Sequence, residues 1–238
     1  MRNFESELIL FLRIKSSVWK APCALGIGWK YGMLKIIKQK IKLIIAIIIN
    51  FNSFNLRQKR ISYLNQHYYY SRHRRLYNYF PNVETRIEKV FSTYGISKKL
   101  TSEINNLPVI DIGANIGEFS LFLKIKLKHK GELIAFEPDP TEFAVLQKNA
   151  RIHGFTAVSK AVSGANGEVK FALKNDDADS RILFTENVSE KTIKVDAVTL
   201  EKELTSQGIY EVGLVKVEAE GYEPEPGDPS ATWRESNL

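Results

Sequence analysis

Several common site signatures are missing from this chain of 238 residues. Cys23 is the only cysteine, which excludes an intrachain disulfide and leaves nothing to indicate an oxidising compartment. The four histidines have no metal-ligand spacing, and the chain has neither a G-x-S-x-G nucleophile turn nor a P-loop. The sequence therefore predicts no metal site built on histidines and favours neither a serine hydrolase nor a P-loop nucleotide hydrolase.

A hydrophobic run long enough to cross a bilayer is also missing. The most apolar stretch, LIIAIIINFNSFNL at residues 43–56, is uncharged but contains three asparagines and a serine, and a span needs roughly 20 apolar residues. The apolar run at residues 8–12 is short for a signal peptide and follows two glutamates. We therefore expect a cytoplasmic protein without a cleaved signal peptide or a membrane span.

Charge is distributed unevenly along the chain. Residues 1–106 carry 19 Lys and Arg against 5 Asp and Glu, whereas residues 107–238 carry 15 against 22. This contrast predicts a basic, largely helical arm at 1–106 and a separate domain from residue 107. Within residues 30–60, Lys35, Lys38 and Lys42 form a stripe beside an Ile-rich face, as in helices that lie on anionic membranes. Packing of this helix on the domain or on a partner chain is an equal alternative.

Arginines and tyrosines alternate in RISYLNQHYYYSRHRRLYNYF at residues 60–80. Such a mixture can bind nucleic-acid phosphates and stack bases. Solvated helix faces with tyrosines packed beneath them are the more common cause of this pattern. We therefore predict helix here and do not expect a nucleic-acid partner.

From residue 107 strands and helices alternate, which predicts an α/β fold with a parallel sheet. PVIDI, ELIAFE and TAVSKAV are the first three strands, EFSLFLKIKLKHK and TEFAVLQKNARIHG are helices between them, and VGLVKVE is a later strand. GEVKFAL and TIKVDAV are shorter strands that flank a polar insertion, and TLEKEL is a short helix.

The glycine turn in VIDIGANIGEFS carries the clearest functional information. Asp111 ends a buried strand, and Gly113 and Gly117 frame a tight turn, where the backbone can approach a ligand at the carboxyl end of the sheet. A dinucleotide site would have G-x-G-x-x-G. A carboxylate before G-x-x-x-G suits an ammonium or a sulfonium better than a phosphate, which indicates S-adenosylmethionine. Glu137 ends the next strand, where an acid can accept both ribose hydroxyls.

A cluster of carboxylates follows the last strand in KVEAEGYE. Glu218 and Glu220 point to one side of that strand, about 6.5 Å apart. We expect Glu218, Glu220 and Glu223 to be catalytic, as a base for a hydroxyl acceptor or as ligands of a divalent ion. Hydrogen bonds to sugar hydroxyls and capping of the next helix remain alternatives.

Five stretches resemble, in order, the successive blocks of the FkbM-type S-adenosylmethionine-dependent methyltransferases: VIDIGANIGEFS, IAFEPDPTEFAVLQKNA, KAVSGANGEVKF, VTLEKEL and LVKVEAEGYEPE. The likeness covers residues 107–225. It implies a class I, Rossmann-like methyltransferase domain that acts on hydroxyls of sugars or other small metabolites. It also implies the cofactor contacts: the methionine part on Asp111, Gly113, Ala114, Asn115 and Gly117, the ribose on Glu137, and the adenine near Ala161 and Val162. The family often has Asp where this chain has Glu218.

Residues 226–238, PGDPSATWRESNL, lack the apolar periodicity of the helix expected next and match nothing in the family. The sequence therefore predicts an irregular tail after a domain that lacks its last three strands, through a shifted reading frame or a shortened gene. Three functions remain open: a small-molecule or glycan O-methyltransferase, a nucleic-acid methyltransferase, and a truncated homologue acting as a membrane-associated interaction protein. The nucleic-acid alternative is weakened because three carboxylates at the site would repel a phosphate backbone.

Overall fold

The computed structural model describes residues 27–51, 53–56, 58–71, 76, 78–104, 106–173, 181–182 and 192–218. The chain divides into two compact units, residues 1–41 and residues 42–238. The structure thus places the division after Ile41, whereas the charge distribution predicted it near Asn106. Helix α1 (Ile27–Ile49) begins in the first unit and ends in the second. In the described ranges, none of the helices combines the length and the hydropathy that a membrane span requires.

Three short antiparallel strands follow α1 in the second unit: β1 (Phe54–Asn55), β2 (Arg60–Tyr63) and β3 (Gln66–Tyr69), in the order β1-β2-β3. The prediction of helix for the Arg/Tyr segment is therefore wrong for residues 60–69. Ile61 and Tyr68 are paired across β2 and β3, and both are fully buried. The intervening Leu64 and Asn65 have positive φ angles of 48° and 62°, as a tight hairpin turn requires. Residues 60–69 therefore form two strands, although their composition indicated a helix.

Two helices then lead to the parallel sheet. Helix α2 (Val83–Thr93) begins at Asn82, whose side chain accepts a hydrogen bond from the Thr85 N–H, and helix α3 (Lys98–Glu103) is capped in the same way by Ser97. Val83, Ile87, Val90 and Phe91 lie on the buried face of α2. Both helices lie within residues 1–106, the stretch for which the sequence predicts a largely helical arm.

The remaining elements, in chain order, are β4 (Val109–Ile112), α4 (Glu118–Ile125), β5 (Leu133–Phe136), α5 (Pro140–His153), β6 (Thr156–Val158), β7 (Ala161–Val162), β8 (Gly167–Ala172), β9 (Arg181–Ile182), β10 (Thr192–Val198), α6 (Leu200–Ser206) and β11 (Leu214–Val217). Strands β11, β4, β5 and β6 form a parallel sheet in that order. All residues of β4 and β5 are buried, as expected for the centre of a sheet covered on both faces. The predicted α/β class with a parallel sheet is confirmed.

A second sheet has the order β7-β10-β8-β9. β8 and β10 are antiparallel and β7 is parallel to β10. The stretch TAVSKAV, predicted as one strand, is therefore divided between the sheets, with β6 in the first and β7 in the second. The centre of the predicted polar insertion, residues 176–179, lies outside the described residues.

Two polar side chains of the helices beside the parallel sheet are among the groups that contact residues 42–106. The buried Asn149 of α5 accepts a hydrogen bond from the Tyr69 N–H at 2.7 Å and donates to the carbonyl oxygens of Tyr69 and Ile116 at 3.1 and 2.8 Å. Glu118, the first residue of α4, accepts a hydrogen bond from the Tyr79 hydroxyl at 2.6 Å and pairs with Arg86 of α2. Both contacts end at the turn between β4 and α4.

Candidate active site

The turn between β4 and α4 depends on residues with positive φ. Gly113, Asn115 and Gly117 have φ angles of 69°, 59° and 87°. A Cβ at Gly117 would lie 2.7 Å from Cδ1 of Leu146, so a larger residue here would have to displace that side chain as well as adopt a positive φ. The Ala114 N–H donates to the carbonyl oxygen of Phe136 at 2.9 Å. The turn is thus held against the end of the next strand.

Asp111 is fully buried in β4, where one carboxylate oxygen accepts a hydrogen bond and the other has an ion pair but, among the described residues, no hydrogen bond. The Ser120 hydroxyl of α4 donates to Oδ2 at 2.7 Å. Nζ of Lys216 lies 3.0 Å from Oδ1. The buried carboxylate of Asp111 thus has an opposite charge and a hydrogen-bond donor beside it.

Lys216 lies in β11 and its side chain is only 4% exposed. Besides Asp111, its Nζ contacts Oε2 of Glu218 at 3.2 Å and donates to the carbonyl oxygen of Gly113 at 3.1 Å. Burial acts to lower the pKa of Lys216, but the carboxylates of Asp111 and Glu218 outweigh it, and the pKa is raised above its ordinary value. The lysine therefore stays charged and joins the glycine turn to the end of β11.

Glu218 follows β11 and projects toward a tyrosine from the preceding part of the chain. Its N–H donates to the carbonyl oxygen of Ile112 at 3.0 Å, which continues the ladder between β11 and β4. The hydroxyl of Tyr94, the residue after α2, donates to Oε2 of Glu218 at 2.6 Å. Burial and then this hydrogen bond raise the pKa of Tyr94, so the phenol remains protonated.

Glu137 is buried directly after β5. Its Oε2 accepts the Asn115 N–H at 2.7 Å, and its Oε1 accepts the Asp139 N–H at 2.8 Å. Burial raises the pKa of Glu137 to about 7, against the opposing effect of these two N–H groups. Within the described part of the chain, Oδ1 of Asn115 is buried without a hydrogen-bond partner. Among the described residues, the turn thus has one buried acceptor without a partner, Oδ1 of Asn115. Beside it lies the carboxyl group of Glu137, whose pKa is raised to about 7.

The residues at this sheet edge lie in a region that matches a known protein family. Residues 111–225 match the family described as the methyltransferase FkbM domain. The chain contains an FkbM methyltransferase domain. The match begins at Asp111 and includes all the residues of the site except Tyr94.

Two curated relatives match part of this domain. Methyltransferase 1 of Beauveria bassiana (strain ARSEF 2860) is 35% identical over 60 residues, which are 25% of this chain and 24% of that protein. Methyltransferase sdnD of Sordaria araneosa is 35% identical over 82 residues, 33% of this chain and 31% of that protein. The chain therefore spans about a quarter and about a third of the curated relatives that it matches. No solved structure matches significantly.

Most sequence-predicted residues of the FkbM domain meet at one edge of the parallel sheet. Asp111 and Glu218 are joined by Lys216, and Glu137 binds the backbone of Asn115. Ala161 lies in β7 of the second sheet, paired with Ala197 of β10. Because β7 is not a strand of the parallel sheet, its strand pairing does not bring Ala161 into this cluster. Glu220 and Glu223 lie outside the described residues.

Sequence reasoning missed Lys216 and Tyr94. A lysine within the apolar strand LVKV could have been noticed, because a charge at a buried strand position is rare unless it is paired. Tyr94 has no comparable sequence signal, since its role depends on where α2 packs. Among the described residues, no group of three His, Cys, Asp or Glu side chains could hold a metal ion.

Proposed function

We propose that this protein is an S-adenosylmethionine-dependent methyltransferase that methylates a hydroxyl group of a sugar, a glycan or another small molecule. The observation that carries the proposal is the buried acidic edge at the glycine turn of an FkbM domain. Asp111, Lys216 and Glu218 together bear two negative charges and one positive charge. The remaining negative charge favours a cationic ligand.

The residues of the turn fit S-adenosylmethionine. The unpartnered Oδ1 of Asn115 would accept a hydrogen bond from the ammonium of the methionine part, and the carboxylate of Asp111, buried beneath the turn, would add the negative charge that favours it. Each carboxylate oxygen has two lone pairs, so Glu137 can accept ribose hydroxyls while it keeps its two backbone donors. Gly113 and Gly117 keep the backbone free of side chains there. When bound, the cofactor supplies a methyl group on a cationic sulfur that leaves as a neutral thioether.

Glu218 is the described residue best placed to take the acceptor's proton. Its side chain is 55% exposed, whereas Asp111 is buried, so only Glu218 of this pair can meet an incoming acceptor. A hydroxyl must lose its proton as the new oxygen–carbon bond forms, and a carboxylate within hydrogen-bond reach can accept it. Glu220 and Glu223 remain proposed partners in the same role or in binding sugar hydroxyls.

Labelled methyl transfer tests the proposal. The full chain is incubated with methyl-labelled S-adenosylmethionine and separated glycan, lipid and small-metabolite fractions. We expect label in a carbohydrate-containing or other hydroxyl-bearing product, with at least about a hundredfold less after Glu218→Gln, since a general base contributes about 10²-fold or more. Glu211→Gln, the same change at an exposed glutamate, should transfer normally. Absence of label in every fraction would overturn the function.

We further propose that residues 30–60 bind an anionic membrane surface. In the first unit, Ile36, Ile37 and Ile41 of α1 are exposed beside Lys38. In the second unit, Ile48, Ile49 and Phe51 are exposed. Exposed apolar side chains next to lysines are typical of helices at lipid headgroups.

Vesicle sedimentation tests this surface. The full chain should sediment with vesicles that contain phosphatidylserine and not with pure phosphatidylcholine. Lys38→Glu/Lys42→Glu should weaken binding roughly tenfold or more, because each lysine near an anionic surface contributes about 1 kcal/mol. Lys89→Glu/Lys130→Glu makes the same charge change at exposed positions elsewhere and should bind as the unmodified chain does. Equal binding of all three proteins would refute the proposal.

A further inference from the structure

We propose that Tyr94, which lies outside the matched FkbM domain, is a positioning residue that fixes Glu218 for deprotonation of the acceptor. The proposal rests on the function proposed above. Tyr94 is 17 positions before the first residue of the family match, which begins at residue 111. The part of the chain before the domain would therefore complete the site.

Two side chains contact the ring of Tyr94. The ring meets Phe119 of α4 edge-on, with centroids 5.4 Å apart. Nζ of Lys216 lies 5.5 Å from the Tyr94 ring centroid. At its backbone, the Tyr94 N–H donates to the carbonyl oxygen of Val90 at 3.3 Å and ends α2. These contacts fix the Tyr94 ring, so its hydroxyl is held in a defined position next to Glu218.

The helix that carries Tyr94 is itself fastened to the glycine turn. Arg86 of α2 pairs with Glu118, the residue directly after Gly117, and this pair is largely buried. Phe91 of α2 packs edge-on against Phe122 of α4, with centroids 6.2 Å apart. A polar and an apolar contact thus fix α2 to α4, so Tyr94 keeps its distance from the turn.

Two donors converge on one oxygen of Glu218. The Tyr94 hydroxyl lies 2.6 Å and the Lys216 Nζ 3.2 Å from Oε2. A separation of 2.6 Å falls in the range of charge-assisted hydrogen bonds, which are the strong ones. Within the described residues Oε1 accepts no hydrogen bond, so it is the oxygen left for the acceptor's proton. An exposed glutamate without such contacts would sample several rotamers.

Removing one hydroxyl group tests the positioning role without using activity. In the full chain, with glutamate labelled by ¹³C, side-chain couplings of Glu218 report its rotamers. We expect one rotamer in the unmodified protein and averaging in Tyr94→Phe. Tyr210→Phe, the same change at a tyrosine that is 81% exposed, should leave the couplings unchanged. Unaltered Glu218 couplings in Tyr94→Phe would overturn the inference.

Kinetics distinguish positioning from general support of the fold. We expect Tyr94→Phe to keep the dissociation constant for S-adenosylmethionine within about twofold, measured by calorimetry, and to lower kcat about tenfold or more, since misplaced groups cost up to about 10²-fold. A parallel loss of cofactor binding and of thermal stability would assign Tyr94 a structural role instead. If the unmodified chain transfers no methyl group, the proposed function fails while the Glu218 couplings still decide the role of Tyr94.

Glu218→Ala examines the same contact from the other side, at an exposed residue whose loss should not prevent folding. Part of the raised pKa of Tyr94 comes from its bond to Glu218. Tyrosine ¹³Cζ resonances followed against pH should show Tyr94 ionising at lower pH in Glu218→Ala. An unchanged Tyr94 titration would contradict the proposal.

Discussion

Lys216 of β11 and Asp111 of β4 are direct partners across adjacent parallel strands, and Nζ lies 3.0 Å from Oδ1. The strand that carries Glu218 is thus joined to the strand that carries the proposed cofactor carboxylate by a pair that is almost completely buried. One ammonium serves both carboxylates and the Gly113 carbonyl oxygen. In the proposed function, cofactor binding and the presentation of Glu218 would therefore depend on the same side chain.

Replacing Lys216 by methionine should destabilise the protein by about 3–5 kcal/mol, because it leaves the Asp111 carboxylate buried without its counter-charge. Urea unfolding measures the change. Lys194→Met is the matched control, since Lys194 pairs with Glu168 on the surface and such pairs contribute about 1 kcal/mol or less. Lys216→Met/Asp111→Asn should recover part of the loss because it removes the uncompensated charge. Equal effects of the two lysine variants would contradict this account of the pair.

Gly117→Ala should destabilise the protein more than Gly208→Ala does. Both glycines have positive φ, 87° and 73°, so both variants carry backbone strain of about 1 kcal/mol or more. Only at Gly117 does the new methyl group also meet a neighbour, Cδ1 of Leu146 at 2.7 Å. Chemical unfolding of both variants gives the difference, and calorimetry should show weaker S-adenosylmethionine binding for Gly117→Ala alone. Identical losses of stability would mean that Leu146 moves aside without cost.

A residue of this site can be predicted from the sequence when local structure alone determines its position. It cannot be predicted when its position depends on how distant elements pack. Asp111 lies in a buried apolar strand and Glu137 directly after the next one, so their placement at the same end of the sheet follows from local pattern and parallel topology. Tyr94 could not be found in this way, because its contact with Glu218 joins positions 124 residues apart through the packing of α2 on α4. Lys216 lies between these cases, visible as a charge in an apolar strand but assignable only once β11 is placed beside β4.

The errors in the predicted fold have a similar origin. Composition favoured helix for the Arg/Tyr segment, yet the pairing of Ile61 with Tyr68 and their burial select strands there. Tertiary burial outweighs intrinsic preference in such short segments. The predicted boundary at residue 106 followed charge, whereas the structure unites residues 42–106 with the sheet through side chains such as Asn149 and Glu118. The charge of residues 42–106 reflects their solvent-exposed side chains. It does not indicate what their apolar side chains pack against.

Affinity for S-adenosylmethionine should fall as the pH decreases through about 7. Glu137 has a pKa raised from 4.5 to about 7, and only its carboxylate form can accept both ribose hydroxyls. Calorimetry from about pH 6 to about pH 8 should show affinity rising with pH in the unmodified chain. Glu137→Gln should bind weakly at every pH, and Glu132→Gln, at an exposed position, should retain the full pH dependence. A flat profile in the unmodified chain would exclude Glu137 from the ribose contact.

For the ligand-free protein, the raised pKa of Glu137 predicts the opposite trend, namely that the free energy of unfolding falls as the pH rises. Because the folded-state pKa of Glu137 lies above the ordinary value, the folded chain binds this proton more tightly than the unfolded chain between about pH 4.5 and about pH 7. Its contribution to the free energy of unfolding is therefore present below this window and is lost as the pH rises through it. Thermal unfolding of the unmodified chain relative to Glu137→Gln should show this loss. A constant difference between the two proteins across the window would contradict the raised pKa.

Asn149→Asp should weaken both the docking of β3 and the glycine turn. The substitution keeps an acceptor for the Tyr69 N–H but removes the amide donor that satisfies the carbonyl oxygens of Tyr69 and Ile116, and it buries a new charge. Each buried group left without a partner costs about 1–3 kcal/mol, so we expect a loss of about 2 kcal/mol or more. Hydrogen exchange should accelerate in β3 and at residues 113–117, with weaker binding of S-adenosylmethionine. Asn106→Asp, at an exposed position, should change neither. If exchange accelerates in β3 while the turn stays protected, residues before the FkbM domain do not stabilise its cofactor turn through Asn149.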